Sequence, residues 1–244
     1  AYTDALSAFR AYLATNPEDD PSRMRDAELR TADCFYALKA FDQAANYYDR
    51  VLGRDVKPLD YALFQRAMSA KLSDDPNGQV ARLEQLLQEH PDSRLTVEAL
   101  FQAARTHIEE GDLANAERKL NRLIDDFSAT PRAKEALVEL CLVAVKQGED
   151  DKVLSLWDRI RTDYGNDNVA ADAYNIVEPL LMARGLLDNL PPAVGLDGLE
   201  IEKRFFESAS YPALENRCTD AIPRLREYIR QYPAGLHMAE AQFY

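Results

Sequence analysis

Between Glu98 and Phe127 the chain twice places apolar and small residues at helical spacing. Ala99, Leu100, Ala103, Ala104 and Ile108 form one stripe, and Ala116, Leu120, Leu123 and Ile124 form a second. Gly111 falls where the first helix must stop, and Asp112 stands where an oxygen can cap the second. The stretch therefore predicts two helices joined by a tight turn. A single hairpin cannot bury both stripes, so copies of it must stack to close a core.

Weaker copies recur along the chain. Ala44, Gln79, Ala116 and Val153 hold the same place in successive second helices, about 36 residues apart. The matching slot of each first helix holds a small residue, Ala32, Ala67, Ala104 and Cys141. Four residues after its own small position, each second helix offers a large apolar side chain, Tyr48, Leu83, Leu120 and Trp157. Proline follows near the end of second helices at Pro17, Pro91 and Pro233, where a ring without an N–H cannot extend the helix.

This pattern resembles the tetratricopeptide repeat. Ala32, Phe35, Ala44 and Tyr48 match its signature in one copy, and Ala5, Phe9 and Pro17 match its second half in another. The resemblance implies an all-α fold, a right-handed solenoid of stacked helical hairpins with about six repeats. A half-repeat over residues 1–17 precedes full repeats at about 24–57, 59–93, 96–130 and 133–166. A truncated repeat starts at 167, because Pro191 and Pro192 stop its second helix early. The array thus covers 1–185, an irregular linker 186–198, and a last repeat with the start of a further helix 199–244, its first helix running from about Leu199 to Ser210.

The opening YTDALSAFRAYLATNP aligns without a gap on CTDAIPRLREYIRQYP, so the chain opens on a second helix, and the closing HMAEAQFY reads as the start of a first helix. Half-repeats at both ends predict a segment of a longer array, with flanking repeats of the same chain as neighbours. The linkers FSATPRA and HPDSRLTVEA resemble those of periplasmic and outer-membrane-associated bacterial arrays. That resemblance implies a scaffold of the cell envelope, with the cytoplasm as the other compartment open to such a chain.

A formal charge of −13 over 244 residues opposes binding to nucleic acid or to anionic lipid, and basic residues such as Arg118, Lys119 and Arg122 sit among Glu117, Asp125 and Asp126. No apolar run is long enough to span a bilayer, which predicts no direct membrane insertion. Cys34 and Cys141 fall among apolar residues of predicted helices and read as buried thiols; Cys218 is the third cysteine.

The sequence offers no convergent chemistry. His90, His107 and His237 are scattered, and neither nucleophile–base spacing nor a phosphate-binding glycine loop occurs. His107 lies close to the junction of two helices and reads as structural. Ser73 to Glu84 imitates a calcium loop, with Asp75, Asn77, Gly78 and Glu84 at ligand-like places, yet Pro76 intrudes and a capped turn explains the same letters. No enzyme activity, cofactor or metal is expected.

What remains is a surface for a protein or peptide segment. In arrays of the family that this chain resembles, first helices line a concave groove. Carried over slot by slot, the resemblance places Leu29, Asp33 and Tyr36 there, then Tyr61, Phe64, Met68 and Lys71, then Phe101, Arg105 and Ile108, then Val138, Leu142 and Val145. Such a strip suits an extended or helical segment with hydrophobic anchors. The alternatives at this point are that part of the strip packs against the next repeat, and that the segment is a spacer with recognition carried elsewhere.

Overall fold

A computed structural model describes residues 1–15, 20–54, 56–184, 186, 190–214 and 216–244. Pro17, Gly185 and part of the expected linker lie outside the described residues. Among the described residues the chain holds thirteen α-helices, one 3-10 turn and no strand. They are α1 (Tyr2–Ala14), α2 (Pro21–Ala37), α3 (Phe41–Gly53), α4 (Asp60–Leu72), α5 (Pro76–Glu89), α6 (Thr96–Glu109) and α7 (Leu113–Asp126). There follow α8 (Pro131–Gln147), α9 (Asp150–Asp163), α10 (Asn168–Arg184), the 3-10 turn Pro192–Val194, α11 (Gly198–Leu214), α12 (Cys218–Gln231) and α13 (Met238–Phe243). This is an all-α solenoid of helical hairpins. No described helix is long and apolar enough to cross a membrane.

The chain divides into two compact units, Ala1–Ala136 and Leu137–Tyr244, with the boundary inside α8. In the first unit α2 pairs with α3, α4 with α5 and α6 with α7. Each second helix also packs on the first helix that follows, α1 on α2, α3 on α4 and α5 on α6. A second helix is therefore shared between two neighbours, and that sharing closes the core. Ala32, Ala67 and Ala104 on the first helices, and Ala44, Tyr48, Leu83, Ala116 and Leu120 on the second, are all fully buried. Burying a side chain of Leu size contributes about 1.5–3 kcal/mol. Gln79 takes the slot of an alanine and is equally buried; the Thr106 hydroxyl donates to its amide oxygen at 3.0 Å, tying α5 to α6.

Between the two helices of a hairpin the chain turns the same way each time. Lys39, Asp74, Gly111, Gly148 and Asn216 all have positive φ, between 57° and 79°. The next residue then donates its N–H five residues back, as in Ala40 to Phe35 (2.9 Å), Asp75 to Ala70 (2.9 Å), Asp112 to His107 (2.8 Å), Glu149 to Ala144 (3.0 Å) and Arg217 to Pro212 (2.8 Å). This is the left-handed C-terminal cap that satisfies the last carbonyls of a helix.

In the second unit Cys141, Val153 and Trp157 fill the same three slots and are buried, and Trp157 lies 6.1 Å from Tyr174. α9 packs on α10, α11 on α12 and α12 on α13. One helix overruns its expected end at a proline, and two others also hold a proline within their length. α11 continues to Leu214 with Pro212 inside it, α10 contains Pro179, and α12 contains Pro223. Pro212 sits in the last turn of α11, with only two helical residues after it, so the helix runs past the expected stop at Ser210 at the cost of one N–H donor. α10 ends with the familiar bond, Leu186 N–H to Leu181 at 2.8 Å, but the 3-10 turn follows in place of a long second helix.

Candidate interaction surface

The groove residues expected on α2, α4 and α6 meet different fates in the first unit. Leu29 is 6% exposed and belongs to the core cluster with Ala32, Ala44 and Tyr48. Tyr36 packs against that cluster and meets Phe41 edge-on at 5.5 Å. Asp33 is half-buried and gathers three donors. The Tyr48 hydroxyl donates to it at 2.8 Å, the Tyr61 hydroxyl at 3.1 Å and the Arg30 guanidinium at 3.2 Å. Burial first, and then the Asp33 charge, push the Tyr61 phenol up to about 12 and the Tyr48 phenol higher still.

Along α4, Tyr61 is 37% exposed, and Phe64, Met68 and Lys71 are half-buried. On α6, Phe101 and Ile108 are 3% and 8% exposed, whereas Arg105 is exposed. The cover over Phe101 is Arg132, whose guanidinium carbon lies 4.4 Å from the ring centroid. The same guanidinium donates to Glu98 at 2.8 and 3.1 Å. The Gln102 amide donates to Glu98 at 2.8 Å and accepts from the Lys71 ammonium at 3.2 Å. A polar ladder, Lys71–Gln102–Glu98–Arg132, thus crosses from α4 over α6 to the start of α8. In the second unit, Leu142 and Val138 are half-buried and Val145 is 41% exposed.

Sequence reasoning missed the ladder and the Asp33 hub. Glu98 and Arg132 lie on different hairpins, and nothing local in either helix announces the pair. The only signal was their recurrence near one repeat length, Glu98 close to the start of α6 and Arg132 close to the start of α8.

The other candidate chemistry resolves into structure. The Asp75 carboxylate accepts the Gly78 N–H at 2.8 Å and caps α5. His107 Nδ1 lies 3.3 Å from Asp112, whose carboxylate also accepts the Asn115 N–H at 3.2 Å and is held below its ordinary pKa chiefly by the Asn115 donors. Cys34 and Cys141 are buried and Cys218 is exposed; burial drives the Cys141 thiol up to about 12, which makes it a poor nucleophile. Among the described residues no three His, Cys, Asp or Glu side chains gather in a metal-binding group.

The second unit has a cleft of about 1000 Å³ whose walls are α10 and α11, with Arg224 of α12 and the segment before α13 at its edge. Glu178 of α10 pairs with Arg204 of α11 across it, and Lys203 pairs with Glu207 at 3.8 Å. Beside the cleft, Glu202 of α11 is 7% exposed and accepts from the Tyr228 hydroxyl at 2.7 Å and the Leu236 N–H at 2.5 Å.

Comparison with known proteins places these hairpins. Tetratricopeptide repeat models match residues 2–57, and residues 61–93 and 98–130. No curated protein sequence matches the chain. Among solved structures, the C-terminal part of a TPR repeat-containing protein from Cytophaga hutchinsonii is similar at a TM-score of 0.60 and 13% identity, covering 98% of this chain and 94% of that one. A tetratricopeptide repeat protein from Parabacteroides merdae is similar at 0.53 and 11%, covering 98% and 96%. PilF of Pseudomonas aeruginosa is similar at 0.51 and 15%, covering 91% and 98%. At such identities the structures speak for the fold, and the repeat models for the family. The chain belongs to the tetratricopeptide repeat family, whose stacked hairpins serve in general as scaffolds for protein–protein interaction.

Proposed function

We propose that this chain is a non-enzymatic interaction scaffold that holds an extended or helical segment of another protein along α2, α4 and α6. The observation that carries the reading is the face of α4. Tyr61, Phe64, Met68 and Lys71 stand along one side of that helix, partly open, between Asp33 of α2 and Gln102 of α6. Partly exposed aromatic and Met side chains beside fixed polar groups suit hydrophobic anchors flanked by hydrogen-bonding backbone. In this reading Tyr36 and the exposed Arg105 bound the strip, while the buried Phe101 and Ile108 form its floor. Leu142 offers aliphatic surface of its own on α8.

The test is affinity capture from native extract with the parent chain and with Phe64→Ala/Met68→Ala, identified by mass spectrometry. A protein held by the parent, and bound on the order of tenfold more weakly by the double variant, is expected, with helicity and melting midpoint unchanged. Equal capture by both sinks the proposal. The burial of Phe101 under Arg132 favours a second reading, a spacer whose groove side is filled by its own side chains. There the double variant melts earlier and captures the same proteins as the parent.

A further inference from the structure

On α2 and α6 the face turned toward the second helix that precedes them is closed. On α2 it is Met24, Ala27 and Thr31, against α1; on α6 it is Thr96, Ala99 and Ala103, against α5. None of these is more than 6% exposed. The corresponding positions on α11 are Ile201, Arg204 and Ser208, and all three are partly open. The reason is the chain between α10 and α11. Its described residues carry only the 3-10 turn Pro192–Val194, which packs on α10 and whose Ala193 N–H bonds the Gly165 carbonyl at 3.1 Å.

α10 shows the same gap from the other side. The slot that Ala32, Ala67, Ala104 and Cys141 fill, where a first helix meets its own second helix, falls on Glu178 of α10. Glu178 lines the cleft together with Met182 of α10 and with Arg204 and Ser208 of α11. Both faces that a second helix would cover are therefore the walls of this cleft. Its edge carries Leu199 and Leu236, 60% and 74% exposed. Lys203 and Arg204 are paired with glutamates, whereas Arg224, among the described residues, has no ion-pair or hydrogen-bond partner.

We propose that the cleft docks an amphipathic α-helix of a partner protein, which lies where the second helix of this repeat would lie. It sets aliphatic side chains against Met182, Leu199 and Leu236 and brings an acidic side chain to Arg224. The charge complement selects the partner: an arginine left single beside paired neighbours calls for one carboxylate at one place, and exposed leucines call for an apolar stripe next to it. Helix-in-groove docking matches the geometry of the walls, two helices whose facing residues recur at helical spacing. This site lies on other residues than the α2–α6 strip and stands independently of it.

A helix-biased amphipathic peptide library displayed on phage, selected against the full 244-residue chain, tests this. Enriched peptides are expected to carry Asp or Glu within a turn of aliphatic residues and to gain helicity on binding. Arg224→Glu should weaken them on the order of tenfold or more, and replacing the peptide acid by Lys should restore binding to that variant. Tyr61→Ala/Phe64→Ala should bind them as the parent does, and Arg224→Glu should melt at the parental midpoint. Failure to enrich any peptide overturns the inference, as does equal binding by Arg224→Glu or binding in an extended form. A dimer in sedimentation that dissociates in Arg224→Glu overturns it too, because a second copy would then be the occupant.

Discussion

Ala104 has no exposed surface, and neither do its counterparts Ala32 and Ala67. At this contact the backbones of two helices approach until only a methyl group fits between them. Ala104→Glu should therefore open α6 against α7, costing about 3 kcal/mol or more because a carboxylate has neither room nor partner there. Amide hydrogen exchange reads it directly: faster exchange through α6 and α7 is expected, and parental protection would contradict it. These small slots were legible in the sequence because they recur with the repeat. The state of Phe101 was not. Its exposure depends on Arg132, a side chain from another hairpin, and periodicity within α6 says nothing about what arrives from α8. Gln79 was legible as the holder of a repeated slot, but its partner Thr106, on the next hairpin, was not.

The hairpin turns show how one backbone shape tolerates different letters. Gly111 and Gly148 could be recognised as helix stops, whereas Lys39, Asp74 and Asn216 occupy the same left-handed conformation without advertising it. For a residue with a Cβ that conformation costs roughly 1–2 kcal/mol, less for Asn and Asp, while glycine enters it without that strain. Lys39→Gly should accordingly stabilise the chain by about 1 kcal/mol, and Gly111→Ala should destabilise it by a similar amount. Urea denaturation midpoints moving in opposite directions would establish the point; a loss of stability in Lys39→Gly would refute it. Proline was the less reliable sign. Pro212 suggested a stop at Ser210, yet the last turn of α11 accommodates the ring.

Both units carry phenols, buried but for the partly open Tyr61, whose neutral form the fold protects. Tyr48 and Tyr61 lie beside Asp33, Tyr174 donates to Glu178 at 2.9 Å, and Tyr228 donates to Glu202. All four are raised above the ordinary value of 10, Tyr61 and Tyr228 to about 12, with burial as the first cause and the neighbouring carboxylate contributing. A raised acid favours its protonated form when folded, so this stabilisation is complete below about pH 10 and is lost as pH climbs through about 12. Helicity followed together with phenolate absorbance should fall along with the ionisation of these tyrosines. Ionisation at ordinary phenol pKa values with helicity unchanged would count against it. The repeat architecture itself was readable from spacing alone. Which faces stay open was not, because that depends on contacts between residues far apart in sequence.

The shared second helix also decides how folding information passes along the chain. Where α3 or α5 is held by two first helices at once, ordering one hairpin lowers the cost of ordering the next, and the array behaves as a row of coupled links. Between α10 and α11 the described residues hold only a short turn in place of that mediator, and the Glu178–Arg204 pair bridges the gap. The coupling is weaker at this link than between the hairpins of the first unit. Thermal fluctuation will part the C-terminal hairpin from α10 more often than it parts α2–α3 from α4–α5, and a helix docked in the cleft would lock the two together, turning a loose link into a clasp.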